Sequence, residues 1–308
     1  MRKFLPFLFA AALASSCIDN AYDLSNVNTD DVTIGDEDSE YRLPLATVYV
    51  SMSELNEGGA DIKTLFDEAD IWLPSPLPGN AAYVDLRELQ NTPETITPLL
   101  DALIDQMMDD DAKITAVADL LAEKYLSTFL PLLPPNTDPA DFKLVFIEAF
   151  RNMPMLHDRL SGEVKSLAGS YLTELKVQDV TYDIGKIDIG GDVVDMLCEN
   201  LDSEGTPNPK NTLHLYGSIT SALPVSLRLV PYFSPTNVRF DVTVEPGKTN
   251  EIRETQLFES DLRQIIEGAE IILPVSLEKY YPGYDFTSDQ QIVITLRLIK
   301  RGGLKLNL

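Results

Sequence analysis

The sequence predicts an α+β fold: an antiparallel β-sandwich-like domain carrying an inserted four-helix subdomain. Three observations lead there. Apolar residues recur every three or four positions between residues 94 and 176. From Val177 to the C-terminus the period drops to two, and short alternating or apolar runs also precede the helical stretch, between residues 41 and 93. Strand-like chain on both sides of the helices places them as an insertion between early and late strands of one β-domain, 41–93 with 177–308.

The chain opens with Arg2 and Lys3, then the apolar run Phe4 to Leu13, then Ala14-Ser15-Ser16 before Cys17. A charged step, an apolar core and a small-residue cleavage site in that order form a signal sequence over 1–16. The apolar run falls far short of the ~20 residues a membrane-spanning helix needs. A thiol directly after the small residues is the acceptor that lipid transfer requires, so Cys17 is the expected lipidation site and first mature residue. Leu13-Ala14-Ser15-Ser16-Cys17 resembles the relaxed lipobox of Bacteroidetes lipoproteins, with leucine one position further from the cysteine than the commonest pattern. Residues 17–40 hold Asp19, Asp23, Asp30, Asp31, Asp36, Glu37, Asp38 and Glu40 before the first basic residue, Arg42. Dense charge with few apolar residues cannot bury a core, so this segment is expected to be a disordered, lipidated tether.

Between 41 and 93, Leu43-Pro44-Leu45-Ala46-Thr47-Val48-Tyr49-Val50 alternates, and Asp70-Ile71-Trp72-Leu73 precedes the proline-rich Pro74-Ser75-Pro76-Leu77-Pro78-Gly79. Both read as strands bounded by loops. Trp72 is a candidate binding residue, a stacking platform for sugar, although a lone tryptophan in an apolar run more often fills a core.

The helical stretch has four stripes. Ile96, Leu99, Leu100, Leu103, Ile104, Met107 and Met108 form the first, opened by Thr97-Pro98. Ile114, Val117, Ala118, Leu121, Tyr125 and Phe129 form the second, ending at Pro131. Phe142, Val145, Phe146, Ala149 and Phe150 follow Asp138-Pro139, and Leu160, Val164, Leu167, Ala168, Tyr171, Leu172 and Leu175 complete the set. In the last third, Leu213/Leu215/Ile219, Val225/Leu227/Leu229, Val238/Phe240/Val242/Val244, Ile271/Leu273/Val275/Leu277 and Ile292/Ile294/Leu296/Leu298 alternate, often with polar neighbours such as Arg239, Asp241 and Thr243. An antiparallel sheet with one solvated face follows.

Cys17 followed by Ala21-Tyr22-Asp23-Leu24-Ser25-Asn26-Val27-Asn28-Thr29-Asp30, the run Leu213 to Leu229 with Ser221-Ala222-Leu223-Pro224-Val225 at its middle, and Asp289-Gln290-Gln291-Ile292-Val293-Ile294 together resemble uncharacterised outer-membrane lipoproteins of Bacteroides type. The resemblance covers the tether and the C-terminal third. It implies a lipidated β-sandwich related to tubular lipid-binding or desiccation-protein-like sandwiches, and no catalytic residue. Ile18 rather than aspartate after Cys17 implies, by the same likeness, the outer membrane over inner-membrane retention.

Composition narrows the chemistry. The formal charge is −25, from 49 acidic and 24 basic residues. Such a chain repels nucleic acid and anionic membrane surfaces. With Cys17 lipidated, Cys198 is the one remaining thiol and has no disulfide partner. Its apolar setting, Val193-Val194-Asp195-Met196-Leu197, favours a core role over a nucleophilic one. His157 and His214 stand apart from any second ligand at zinc spacing. Asp109-Asp110-Asp111 lacks the spacing of a calcium loop and suits a helix N-terminus. No Gly-x-Ser-x-Gly or phosphate-cradling motif occurs. No catalytic residue, metal or cofactor is therefore expected. The leading expectation is a non-catalytic cell-envelope lipoprotein, held to the outer membrane by its lipid, facing the periplasm or the cell surface, and binding an envelope protein or serving in an assembly. The alternatives are an apolar-ligand carrier, with Met107, Met108, Met153 and Met155 suited to a groove lining, and a glycan-handling hydrolase using paired acids.

Overall fold

The computed structural model describes residues 32–52, 61–177, 179–236 and 238–306. Cys17, the signal sequence and residues 17–31 of the expected tether lie outside the described residues. The fold is α+β with antiparallel sheets.

Its longest sheet has four strands in the order β2-β12-β5-β9: β2 (Glu40–Ser51), β12 (Gln291–Arg301), β5 (Thr212–Ser221) and β9 (Thr249–Leu257). β12 is central, pairing Glu40 with Arg301 at one end of β2 and Ser51 with Gln291 at the other. The helices thus leave the sheet after β2 and the chain returns to it at β5. Pro44 has no N–H to donate, and it is accommodated because β2 is an edge strand whose register shifts opposite Leu296 and Arg297. Gly217 in β5 is obligatory for another reason: a Cβ there would lie 2.0 Å from the Thr295 carbonyl oxygen of β12.

Three smaller sheets complete the strands. One runs β3 (Val84–Asp85), β11 (Val275–Tyr280), β6 (Val225–Leu229), β8 (Val242–Val244). Another runs β4 (Val180–Asp183), β10 (Glu270–Leu273), β7 (Tyr232–Ser234), and a two-stranded ladder joins β1 (Val32–Ile34) to β13 (Leu304–Leu306). That last ladder shortens the expected disordered tether: residues 32–40 form a strand and turn, with the Tyr41 hydroxyl donating to the Ile34 carbonyl at 2.8 Å. A three-residue strand inside an acidic run has too little apolar periodicity to be read from sequence, and it forms because β13 offers its edge.

The four expected helices are present as α3 (Thr97–Asp109), α4 (Asp111–Lys124), α6 (Phe142–Asn152) and α7 (Pro154–Glu174), with a one-turn α5 (Leu126–Phe129) where the second stripe breaks at Tyr125. Thr97 does not cap α3; a 3₁₀ turn over Pro93–Ile96 leads directly into it. Asp110 does cap α4, accepting from the Ala112 and Lys113 amides, and those bonds hold its carboxyl below the usual range. The core between the helices is leucine-rich and aromatic. Leu103, Phe129, Phe142, Phe146 and Phe150 have no exposed surface, and the three α6 rings stack 5.8–5.9 Å apart.

The helical part begins earlier than residue 94. Asp70-Ile71-Trp72 is not a strand but the last turn of α1 (Ile62–Trp72), whose Ile62, Phe66, Ala69 and Trp72 are buried, and α2 (Leu86–Asn91) follows β3. Asp61 caps α1 by accepting from the Lys63 amide at 3.1 Å. Two further helices interrupt the C-terminal strands: α8 (Gly191–Cys198) and α9 (Glu259–Gly268). Helical and strand residues share one continuous hydrophobic core.

Candidate functional site

The sequence-predicted candidates do not converge. Trp72 has no exposed surface; its ring meets Tyr125 edge-on at 6.4 Å, and its indole N–H finds no acceptor. A ring enclosed by helices cannot serve as a sugar platform, so this assignment is corrected: Trp72 is a core residue. Cys198 is buried on α8, and burial pushes its thiol up to about 11, leaving it an inert thiol. His157 Nδ1 lies 2.7 Å from the Phe150 carbonyl, which can only accept, so Nδ1 carries the proton and Nε2 is left for the Ser161 hydroxyl. His214 lies on β5 beside Arg301, and burial, then that guanidinium, lowers its pKa. Met107 is buried, whereas Met108 and Met155 are exposed on helices and Met153 is exposed at the joint between α6 and α7, so the four do not line a common groove.

What the fold does gather is a set of concavities along two loops, residues 74–83 after α1 and residues 281–290 between β11 and β12, the central one lying between them. The central cleft, about 420 Å³, lies between Asp70, the Leu73–Leu77 segment, Asn80–Ala82 and Pro282–Gly283. Its walls are held from behind. Lys113 on α4 donates to the carbonyls of Asp70 at 2.9 Å and Leu73 at 2.5 Å, placing a cation at the negative end of α1. Burial pushes that ammonium down to about 8. Gln106 on α3 pairs with Ser75 like a strand neighbour, its amide oxygen accepting from the Ser75 N–H at 2.9 Å and its amide nitrogen donating to the Ser75 carbonyl at 3.0 Å. The second loop is pinned to Phe66 of α1 at its start and its middle: the Tyr280 and Phe286 rings each lie 4.7 Å from it.

Among the described residues, Asp70 is the one ionisable side chain lining this cleft. The Tyr280 hydroxyl donates to it at 2.7 Å and the Gly283 amide also faces it; burial nonetheless outweighs these bonds and raises its carboxyl above the usual range. Tyr280, buried and beside a carboxylate, is raised as well. A second concavity of about 380 Å³ lies on the other side of the 281–284 turn, between Pro224, Pro246, Tyr281, Tyr284, Asp285 and Gln290. A third, about 210 Å³, continues from Leu77 and Ala81 past Tyr83 to α2. Tyr83 lies 5.6 Å from the Tyr281 ring and carries the Lys279 ammonium 4.8 Å above its own. Tyr284 is 65% exposed.

The ladder of β2 and β12 sets where this face points. The chain enters at β1, β13 and the Glu40/Arg301 end, whereas the loops leave from the Ser51/Gln291 end. Eleven residues of β12 at ~3.3 Å each separate the two ends by roughly 33 Å. Among the described residues the face offers hydrogen bonds, aromatic rings and one carboxylate in its central cleft. Retaining or inverting glycoside hydrolysis needs two facing carboxyl groups; among the described residues this cleft supplies one. Among the described residues no group of three or more His, Cys, Asp or Glu could hold a metal ion, and no helix is long and apolar enough to cross a membrane.

No protein-family model matches the chain, and no curated protein matches it. Among solved structures the chain is similar to a Parabacteroides distasonis protein described, provisionally, as secreted. The identity is 18%, 41% of this chain and 38% of that one are covered, and the TM-score is 0.30. The match spans well under half of that neighbour's length, and a likeness this weak assigns neither architecture nor activity.

Sequence reasoning missed Asp70, Lys113, Gln106 and Tyr280. The signal available was the proline-rich loop Pro74 to Gly79, since ordered loops on a rigid scaffold commonly carry function. Nothing in the sequence, however, links Asp70 to Tyr280, 210 residues away.

Proposed function

We propose that this chain is a non-catalytic cell-envelope lipoprotein, anchored to the outer membrane through Cys17, that binds a partner through the face formed by residues 74–83 and 281–290. The observation that carries the reading is the placement of three adjoining concavities at the end of the β2–β12 ladder opposite the chain's entry from Cys17. A protein tethered at β1 and β13 would hold its binding face outward, away from the bilayer. The signal-like residues 1–16 and the thiol at Cys17 support the anchor. A single covalent lipid chain anchors only marginally, so the reading requires the multiple acylation typical of a modified N-terminal cysteine. Among the described residues the cleft has a single carboxylate, which supports binding over catalysis by paired acids.

Two measurements test this. Cys17→Ser should abolish labelling by a palmitate analogue and move the protein from the membrane to the soluble fraction; continued labelling and membrane partition would refute the anchor. Tyr284→Cys, read with a membrane-impermeant maleimide on detergent-free membrane vesicles of known sidedness, should react as fast as the same thiol in the released protein. A thiol shielded by the bilayer would refute the outward orientation.

A further inference from the structure

The Asp70 cleft contains an electrostatic imbalance. A half-buried carboxylate lines it, and among the described residues no cationic side chain does. The nearest cation, Lys113, directs its ammonium to the backbone carbonyls of Asp70 and Leu73. The carboxylate itself is met by a tyrosine hydroxyl and a backbone N–H, and burial still outweighs them. Asp67, one turn earlier on α1, is paired with Lys63 at 2.6 Å and so adds little net charge. Lys113 acts on this carboxylate only through space, and a half-buried carboxylate that makes no direct ion pair among the described residues is the half of a pair whose partner comes from elsewhere.

We infer that the Asp70 cleft receives a guanidinium or ammonium side chain presented by a basic segment of a protein partner, a deepening that rests on the binding reading above. The cleft walls fit the stem of such a residue: Leu73, Pro74, Pro76 and Leu77 supply apolar surface, as the methylenes of arginine or lysine require. At about 420 Å³ the cleft falls at the small end of ligand sites, suited to one side chain. The whole chain, at −25, draws cations toward its surface and repels anions. The neighbouring rim already shows the matching contact, Lys279 over the ring of Tyr83, and a second basic residue on the partner meets Tyr281 and Tyr284 there. A sugar is the poorer fit, because no aromatic ring lines this cleft.

The test titrates the ¹⁵N-labelled full chain with the peptide acetyl-Gly-Gly-Arg-Gly-Gly-amide and with its citrulline counterpart, which keeps the shape and loses the charge. The arginine peptide should shift the amides of Gly283, Ala81 and Ala82, and the citrulline peptide should not. Asp70→Asn keeps the acceptor for Tyr280 and should weaken binding about fivefold or more. Glu204→Gln removes the same charge from an exposed turn at the tether end and should leave binding unchanged. Ala82→Trp, which adds bulk at the wall of the cleft and keeps the Asp70 carboxylate, should also weaken it; this variant decides the matter if Asp70→Asn melts early. Equal binding of the citrulline peptide, equal weakening by Glu204→Gln, or shifts at these amides from maltohexaose and not from the arginine peptide would each overturn the inference. The Cys17 fractionation and Tyr284 labelling report on the anchor and orientation separately, so loss of the peptide result leaves those standing or falling on their own.

Discussion

The helical body and the loop face are built on opposite principles. In the body, each helix buries a continuous stripe: Leu100, Leu103, Ile104 and Met107 on α3, and Phe142, Phe146, Ala149 and Phe150 on α6. Its polar contacts join helix surfaces, as in the Lys165–Asp101 pair at 2.5 Å, or serve backbone ends, as where Arg151 on α6 donates to the last-turn Met107 carbonyl of α3 at 3.1 and 3.2 Å. The loop face has no period at all. Its shape comes from side chains reaching over long sequence distances to hold irregular backbone, with Gln106 on Ser75, Lys113 on Leu73, and Tyr280 on Asp70. Periodic burial yields a closed interior, and pinned aperiodic backbone yields concavities. The difference teaches where to look for binding in a chain without recognisable motifs: at the loops whose backbone polar groups are satisfied by distant side chains.

The largest effect should come from breaking the body. Leu103→Asp places an unpaired carboxylate where nothing is exposed. The expected cost is about 4 kcal/mol or more, enough to unfold a marginal domain. Because helices and strands share one core, thermal melting followed by far- and near-ultraviolet circular dichroism should show both halves lost together. A variant in which the helices loosen while the strands melt normally would separate the two, and the helical layer would then be a lid.

Gly217→Ala probes the strand half of the same body. The added methyl would sit 2.0 Å from the Thr295 carbonyl oxygen, so β5 and β12 must part locally. A loss of about 1–3 kcal/mol is expected, read from urea midpoints at unchanged slope. Tolerance of alanine would mean that the spacing of β5 and β12 is adjustable here.

The two regions also differ in how much of them is legible in sequence. α3, α4, α6 and α7 are readable because their stripes run for three or more turns. α1 is as amphipathic, with Ile62, Phe66, Ala69 and Trp72 buried, but its visible apolar cluster, Ile71-Trp72-Leu73, abuts prolines and mimics a short strand. α9 hides Leu262, Ile265 and Ile266 among Glu259, Asp261, Arg263 and Glu267, between two runs of period two. The proline-rich loop stands out as a loop, yet its role depends on Gln106, Lys113 and Tyr280, whose partners only folding reveals.

Lys113→Met tests the seam between body and face. Methionine fills the space but leaves the Asp70 and Leu73 carbonyls without their donor, a cost of about 1–3 kcal/mol. The pH dependence gives this a sign. With a folded pKa of about 8 against an ordinary 10.5, the unfolded chain keeps a proton that the folded chain releases between those values. Stability from this group therefore rises with pH across that window, by at most roughly 3 kcal/mol. Cys198, raised to about 11 from 9.0, acts oppositely from pH 9 upward, so the comparison belongs between pH 7.5 and 9. Over that interval the penalty of Lys113→Met relative to wild type should grow. A penalty that shrinks would mean the ammonium is solvated and the Pro74–Pro76 wall is held by Gln106 alone.

The smallest effect on stability should come from the face itself, and it is the sharpest test of the contrast. Tyr284 is 65% exposed and lines the second concavity beside Tyr281 and Asp285. The turn that carries it is fixed from either side by Tyr280 and Phe286 on Phe66, so its own ring has no packing role to lose. Tyr284→Ser should shift stability by no more than about 0.5 kcal/mol, the range of ordinary surface changes. An exposed ring kept at the lip of a concavity is nonetheless the kind of residue that dominates binding energy once desolvated. The same variant should therefore lower the affinity of a basic partner segment at a melting temperature indistinguishable from wild type. If it lowers the melting temperature by several degrees instead, the turn is stabilised by its own surface, and the division between a closed body and a pinned, ligand-facing loop face fails at this residue.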